Sequence, residues 1–236
     1  MVRQRREGVE PGPHVELALT VQQREVDRDA AQLAGLPRPC GVSARGHDEI
    51  GEVLAGLRGG ALAYMVSGDT RGREALADVR RALAAGVSVV TPSLYELYDP
   101  RGADPAILGP MTTAARDGGA SLLVSGIDPG WANDVLPVLA SGFTGRIREV
   151  RCQEIFDYSD YEAEQTVRSL VGMGEPMDVV PPMVAPGIPS MVWGGQVRLL
   201  ARALGLEVTE IRERVERCPL EADATTRLGF FARGTQ

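Results

Sequence analysis

The sequence predicts an α/β fold, a doubly wound parallel sheet, followed by a partial α+β layer. Three observations carry that prediction. Short apolar runs alternate with stretches of helical periodicity as far as about residue 125, the order that lays helices on both faces of a parallel sheet. Glycines stop several of those helical stretches where their apolar spacing ends. Beyond residue 127 the pattern changes to long polar–apolar alternations, the mark of antiparallel strands with one wet face. Two domains are therefore expected, 1–127 and 128–236.

In chain order, His14–Val21 is a short apolar run expected as a buried strand, and Arg24–Ala34 holds a short helix ending at Gly35. A second short strand is expected at Cys40–Ala44. After it, Ile50, Val53, Leu54 and Leu57 fall at helical spacing within His47–Leu57. Ala61–Val66 is a third strand, ending at Ser67-Gly68-Asp69. Arg73–Ala85 is a strongly periodic helix through Leu76, Val79 and Leu83, stopped by Gly86. Val87–Thr91 is a fourth strand, Pro105–Asp117 a further helix, and Ala120–Ser125 a fifth strand. Asp128-Pro129 reads as a helix start, since the carboxylate can cap free N–H groups and proline loses nothing at the first helical position. That helix is expected to reach Ser141. Gly145–Tyr158 and Leu206–Pro219 are the two long alternations, with helices expected at Glu162–Val171 and Met191–Leu204.

Composition narrows the function classes. The 236 residues carry 25 basic and 32 acidic side chains, a net charge of −7, so no basic footprint for nucleic acid or an anionic membrane is expected. The longest uncharged run, Val179–Val197, contains four prolines, which a membrane-spanning helix does not tolerate. The arginines of the N-terminus have no apolar segment behind them, which points to a cytoplasmic protein. Cys40, Cys152 and Cys218 lack a metal-ligand spacing and are expected as small buried hydrophobes, and no metal site is expected. Every basic residue is arginine, so lysine Schiff-base chemistry is excluded, and His14 and His47 are the two imidazoles. Carboxylates and tyrosines remain as acid–base groups.

The segments VSGDTRGREALADVRRALAAGVSVVTPSLYELYDP, SGIDPGWANDVLP and REVRCQEIFDYSDYEAEQTVRSLVGMGEP resemble the NAD(P)-dependent amine and diamino-acid dehydrogenases. That family includes 2,4-diaminopentanoate dehydrogenase and is often described as dihydrodipicolinate-reductase-like. The resemblance covers about residues 14–236. It implies a Rossmann-like sheet that binds NAD or NADP, a second domain that binds a small amine, imine or carbonyl substrate, hydride transfer between nicotinamide and an imine or amine carbon, and a homo-oligomer. Its most specific piece, GIDPGWAND, is similar to the family's Gly-x-Asn-Pro-Gly-Phe turn at the hinge, with Asp128 in place of Asn and Trp131 in place of Phe. The family opens with a strand and a Gly-x-Gly-x-x-Gly turn that this sequence does not contain. The resemblance therefore implies a sheet lacking its first strand, in a chain cut at both ends.

Ligands of such sheets bind beyond the carboxyl ends of the strands, here Thr20–Gln23, Ser67–Asp69, Thr91–Ser93 and Ser125–Asp128, which are expected to converge. Candidate cofactor contacts are thus Ser67, Gly68 and Asp69, with an ordinary helix-capping turn as the alternative, then Thr91, Pro92 and Ser93, and the hinge residues Gly126, Asp128, Pro129 and Gly130. The resemblance places a catalytic glutamate nearest Glu96, against the alternative of a solvated loop carboxylate. Trp131, Asn133, Tyr158 and Trp193 are candidate substrate contacts, with packing as the alternative. The stretch Val21-Gln22-Gln23-Arg24 holds no acid before Glu25, which leans towards NADP. A non-catalytic remnant that only binds or oligomerises, and a related dehydrogenase acting on another carbonyl substrate, are the competing functions.

Overall fold

The computed structural model describes residues 17–161 and 163–236. The expected strand from His14 and the expected helix from Glu162 thus begin outside the described residues. The chain divides into two compact units, residues up to Leu94 with Asp104–Val124, and Tyr95–Ala103 with Ser125–Gln236.

In the first unit the strands are β1 (Ala18–Thr20), β2 (Ala44–Gly46), β3 (Ala61–Ala63), β4 (Ser88–Thr91) and β5 (Leu122–Val124). The helices are α1 (Ala30–Leu33), α2 (Ile50–Gly56), α3 (Gly68–Ala84) and α4 (Pro105–Gly118). All strand pairs are parallel, as the alternation with helices requires. Helix α3 turns one face inward, burying Ala75, Val79, Ala82 and Leu83 completely, and packs on α4, whose Met111 and Ala114 are buried. Helix starts follow the expected chemistry. The Asp104 carboxylate accepts from Ala106 N at 2.8 Å ahead of Pro105, and Asp29 caps α1 through Ala31 N and Gln32 N.

The single sheet expected from the sequence is corrected: β1–β2 and β3–β4–β5 are separate sheets. A cavity of about 790 Å³ lies between them, lined along one side by Leu17–Val21 and along the other by Leu62–Val66. Among the described residues no strand fills this seam, so one edge each of β1 and β3 lacks a ladder partner.

The second unit holds α5 (Val135–Ser141), a π-helical turn at Thr166–Val171, α6 (Ile188–Ala203) and the antiparallel hairpin β6 (Ala224–Thr226) and β7 (Gly229–Phe231). Arg168 lies over the Phe231 ring, 4.4 Å from its centroid. The buried Asp99 accepts from Arg198 Nε at 2.5 Å and lies 3.3 Å from Arg202 Nη1, which ties Tyr95–Ala103 to α6. Burial would raise the Asp99 carboxyl, but Arg198 and then Arg202 hold it below the usual aspartate range.

Three further expectations are corrected. Gly145–Tyr158 and Leu206–Pro219 form no strands, and the hairpin lies at Ala224–Phe231 instead. Alternation decides which side chains share a face, but a strand exists only where its N–H and C=O groups find a partner. All three cysteines are exposed, because Cys40, Cys152 and Cys218 sit in irregular surface segments. No helix begins at Asp128-Pro129. That peptide is cis, and α5 starts at Val135, capped by Asp134. No helix among the described residues is long and apolar enough to cross a membrane.

Candidate functional site

Within the first unit, the turn from β3 into α3 meets the end of β4. A Cβ at Gly68 would collide with the backbone carbonyl oxygen of Ser93, so this approach admits only glycine. Ser93 Oγ donates to Val66 O, and Ser93 N donates to Thr91 Oγ1 at 3.0 Å. Thr91 and Ser93 are buried by these bonds, whereas Ser67 and Asp69 are exposed and Pro92 is half-buried. The carboxyl ends of β1 and β3 line one cavity, which includes Thr20, Gln22, Ser67, Thr70 and Arg71. Of the four expected strand ends, three thus lie together in this unit. Ser125–Asp128 belongs to the second unit and is described with it.

One buried carboxylate organises this half from below. Asp78 accepts from Tyr64 Oη at 3.0 Å and lies 2.7 Å from His47 Nε2. Burial first, and then the Asp78 charge, raise the Tyr64 hydroxyl well above its usual range, so it remains a donor.

In the second unit, Ser125–Asp134 is a tight turn. Gly126 N donates to Pro129 O at 2.9 Å, and Gly130 adopts φ 131°, where a Cβ would collide with Gly126 N. Asp134 is fully buried and accepts from Val135 N at 2.5 Å, Tyr98 Oη at 2.7 Å and Gly130 N at 2.8 Å. The Asp128 carboxylate accepts from Trp193 Nε1 at 2.9 Å and from Gln196 Nε2. Two of the expected residues, Asp128 and Trp193, are therefore in direct contact. Trp131 is 45% exposed and Asn133 half-buried. Tyr158 belongs to an aromatic cluster with Phe156 and Tyr161, at centroid distances of 4.8 and 5.7 Å. Glu96 is half-buried in the 3₁₀ turn Tyr95–Leu97, directly after the fully buried Leu94.

Sequence reasoning missed Glu154, whose carboxyl hydrogen-bonds Asp128. That bond, followed by partial desolvation and the Asp128 charge, holds Glu154 above the usual glutamate range. Nothing in its alternating segment marks it. Gln196 was legible in principle, three residues after Trp193 on one helix face. The raised Glu154 carboxyl fixes a sign. Stability from this pair is fully present below the ordinary glutamate range and is lost as pH rises through the elevated folded value. Glu154→Gln is expected to flatten that decline in a series of thermal melts from acid to neutral pH. An unchanged pH profile would mean that the two carboxyls do not share a proton.

Parallel strands between helices in one unit, and a carboxylate cluster held by a helix in the other, define an α/β protein consistent with a Rossmann-like fold. No family model matches the sequence. The sequence is 51% identical over 231 residues to an amine dehydrogenase of Streptomyces virginiae, a match that takes in 97% of this chain and 63% of that protein. The fold is similar to the structure of amine dehydrogenase from Mycobacterium smegmatis, with a TM-score of 0.68 at 20% identity, covering 94% of this chain and 64% of the other. The chain thus spans less than two thirds of the length of either. Over that span the sequence is similar to an amine dehydrogenase.

Proposed function

We propose that the chain is the greater part of an NAD(P)-dependent oxidoreductase that interconverts a small amine and its imine. The observation that carries this reading is the 51% identity to an amine dehydrogenase across 97% of the chain. The residues present fit a dinucleotide phosphate at the cavity between β1 and β3, where Arg71 Nε is buried without a hydrogen-bond partner and Ser67 and Thr70 share the lining. Residues 1–127 would bind the cofactor and 128–236 the substrate, in a cytoplasmic homo-oligomer.

The bound nicotinamide supplies or accepts the hydride. The chain orients and moves protons. Ser67, Gly68, Asp69, Thr91, Pro92 and Ser93, with Gly126, Asp128, Pro129 and Gly130, form the cofactor contacts of this reading. Glu96 moves the proton on the substrate nitrogen, which requires neither histidine nor lysine. Trp131, Asn133, Tyr158 and Trp193 exclude water around the reacting carbon. Arg24, whose Nε donates to Gln22 Oε1 at 3.0 Å just beyond β1, supports NADP over NAD. The alternations 145–158 and 206–219, which form no strands, support oligomerisation, since an alternating segment can pair with a second copy.

A second reading is a scaffold that only binds or oligomerises. Titration with NADPH and NADH, followed by nicotinamide fluorescence and thermal shift, separates the two. Saturable micromolar binding, worth about −8 kcal/mol, with NADPH the tighter ligand, is the expected result. A folded chain that binds neither would establish the scaffold reading.

A further inference from the structure

We propose that Arg71 is the phosphate anchor of the cofactor cavity, an inference that rests on a nicotinamide dinucleotide being the ligand. The sequence lacks the glycine turn whose backbone N–H groups would cradle a pyrophosphate. A side-chain charge on the cavity wall can hold a phosphate directly. Among the residues lining the cavity between β1 and β3, Arg71 is the one arginine, and the sequence has no lysine. The helical run of α3 is interrupted at this residue, with φ −138° and ψ 34°.

Its hydrogen bonding is incomplete. Among the described residues, Arg71 Nε is the one buried side-chain nitrogen or oxygen without a partner. No salt bridge among the described residues includes Arg71. A permanently charged guanidinium with an unmet N–H, on the wall of a cavity sized for a small molecule, matches the forked recognition that arginine gives phosphate. Ser67 and Thr70 add hydroxyls to the same wall. The carboxylate on this cavity, Glu25, accepts from Thr20 Oγ1 at 2.6 Å. The other titratable groups on it, His47 and Tyr64, are held by Asp78. The remaining lining is largely aliphatic, from Leu17, Leu33, Val53 and Leu62 among others, and suits the flat face of a base.

The test compares the wild-type chain with Arg71→Met, which keeps the aliphatic stem, and Arg71→Lys, which returns the charge without the fork. NADPH and inorganic pyrophosphate are titrated separately at low and high salt, with a far-UV melt to verify folding. Arg71→Met is expected to weaken both ligands by roughly 10–100-fold, the loss of a charge-assisted bond to phosphate. Arg71→Lys should recover part of it, and does so informatively even if the methionine variant fails to fold. NADPH binding that is unchanged in Arg71→Met overturns the anchor while leaving the dehydrogenase reading intact. Pyrophosphate binding that depends on Arg71, in a chain that binds neither NADPH nor NADH, overturns the dehydrogenase reading and with it the cofactor anchor, leaving a phosphate site of another ligand. If neither pyrophosphate nor NADPH binds the wild-type chain, both fail.

Discussion

Asp134→Ala is expected to destabilise the chain by about 3 kcal/mol or more, lowering the melting temperature by roughly 6–12 °C. Three donors converge on this one buried carboxylate: the first amide of α5, the amide of Gly130 and the hydroxyl of Tyr98. Loss of the helix cap alone costs about 0.5–2 kcal/mol. Leaving the Gly130 N–H and the Tyr98 O–H buried and unpaired adds about 1–3 kcal/mol for each group that water cannot reach. Burial, then the Asp134 hydrogen bond and charge, raise the Tyr98 hydroxyl above its usual range, so it stays protonated and donates. Tyr98→Phe deletes a single donor and should cost far less. The double variant should be no worse than Asp134→Ala by more than a few tenths of a kcal/mol, because both changes remove the same bond. A melt of Asp134→Ala within about 1 kcal/mol of wild type would show that the turn holds without its hub.

On the proposed dehydrogenase reading, Glu96→Gln is expected to lower turnover by about 10²–10⁴-fold while leaving NAD(P)H affinity unchanged. The substitution preserves volume and removes only the capacity to carry a proton. The residue sits on a short 3₁₀ turn whose neighbours Leu94 and Leu97 are buried, so its backbone is fixed by packing on either side. The measurement is kcat on primary amines, and on their ketones with ammonia, beside a nicotinamide titration of the same variant. A kcat within about threefold of wild type would assign Glu96 to the solvent and the proton transfer to another group. Glu154, beside Asp128, would then be the next residue to change.

Local chemistry was legible in the sequence, and long-range pairing was not. Helices α3 and α4 follow from apolar spacing and, for α4, from Asp104-Pro105, because the helix ladder is completed within the segment itself. The short parallel strands fall within a few residues of their expected places, yet which of them pair, in two separate sheets, is not legible from their spacing. Register and neighbours depend on partners that periodicity does not name. The same limit explains the alternations at 145–158 and 206–219, where the apolar faces are real and the ladders are absent. At the candidate site, Asp128-Pro129 has the chemistry of a helix start, but that carboxylate is claimed by Trp193 and Gln196, more than sixty residues along the chain. The capping role passed to Asp134. Contacts of this kind, like Asp99 with Arg198, are fixed by the packing of α6 and leave no local signature.

The seam between β1–β2 and β3–β4–β5 changes how the first unit holds together. Among the described residues no backbone ladder joins the halves. A side-chain rivet joins them. His47 follows β2, Tyr64 follows β3, and both are pinned to Asp78 on α3, so one carboxylate couples two sheets that would otherwise open as separate foldons. The unit is thus a pair of plates with a pin through them, and whatever occupies the seam acts as an adhesive between them.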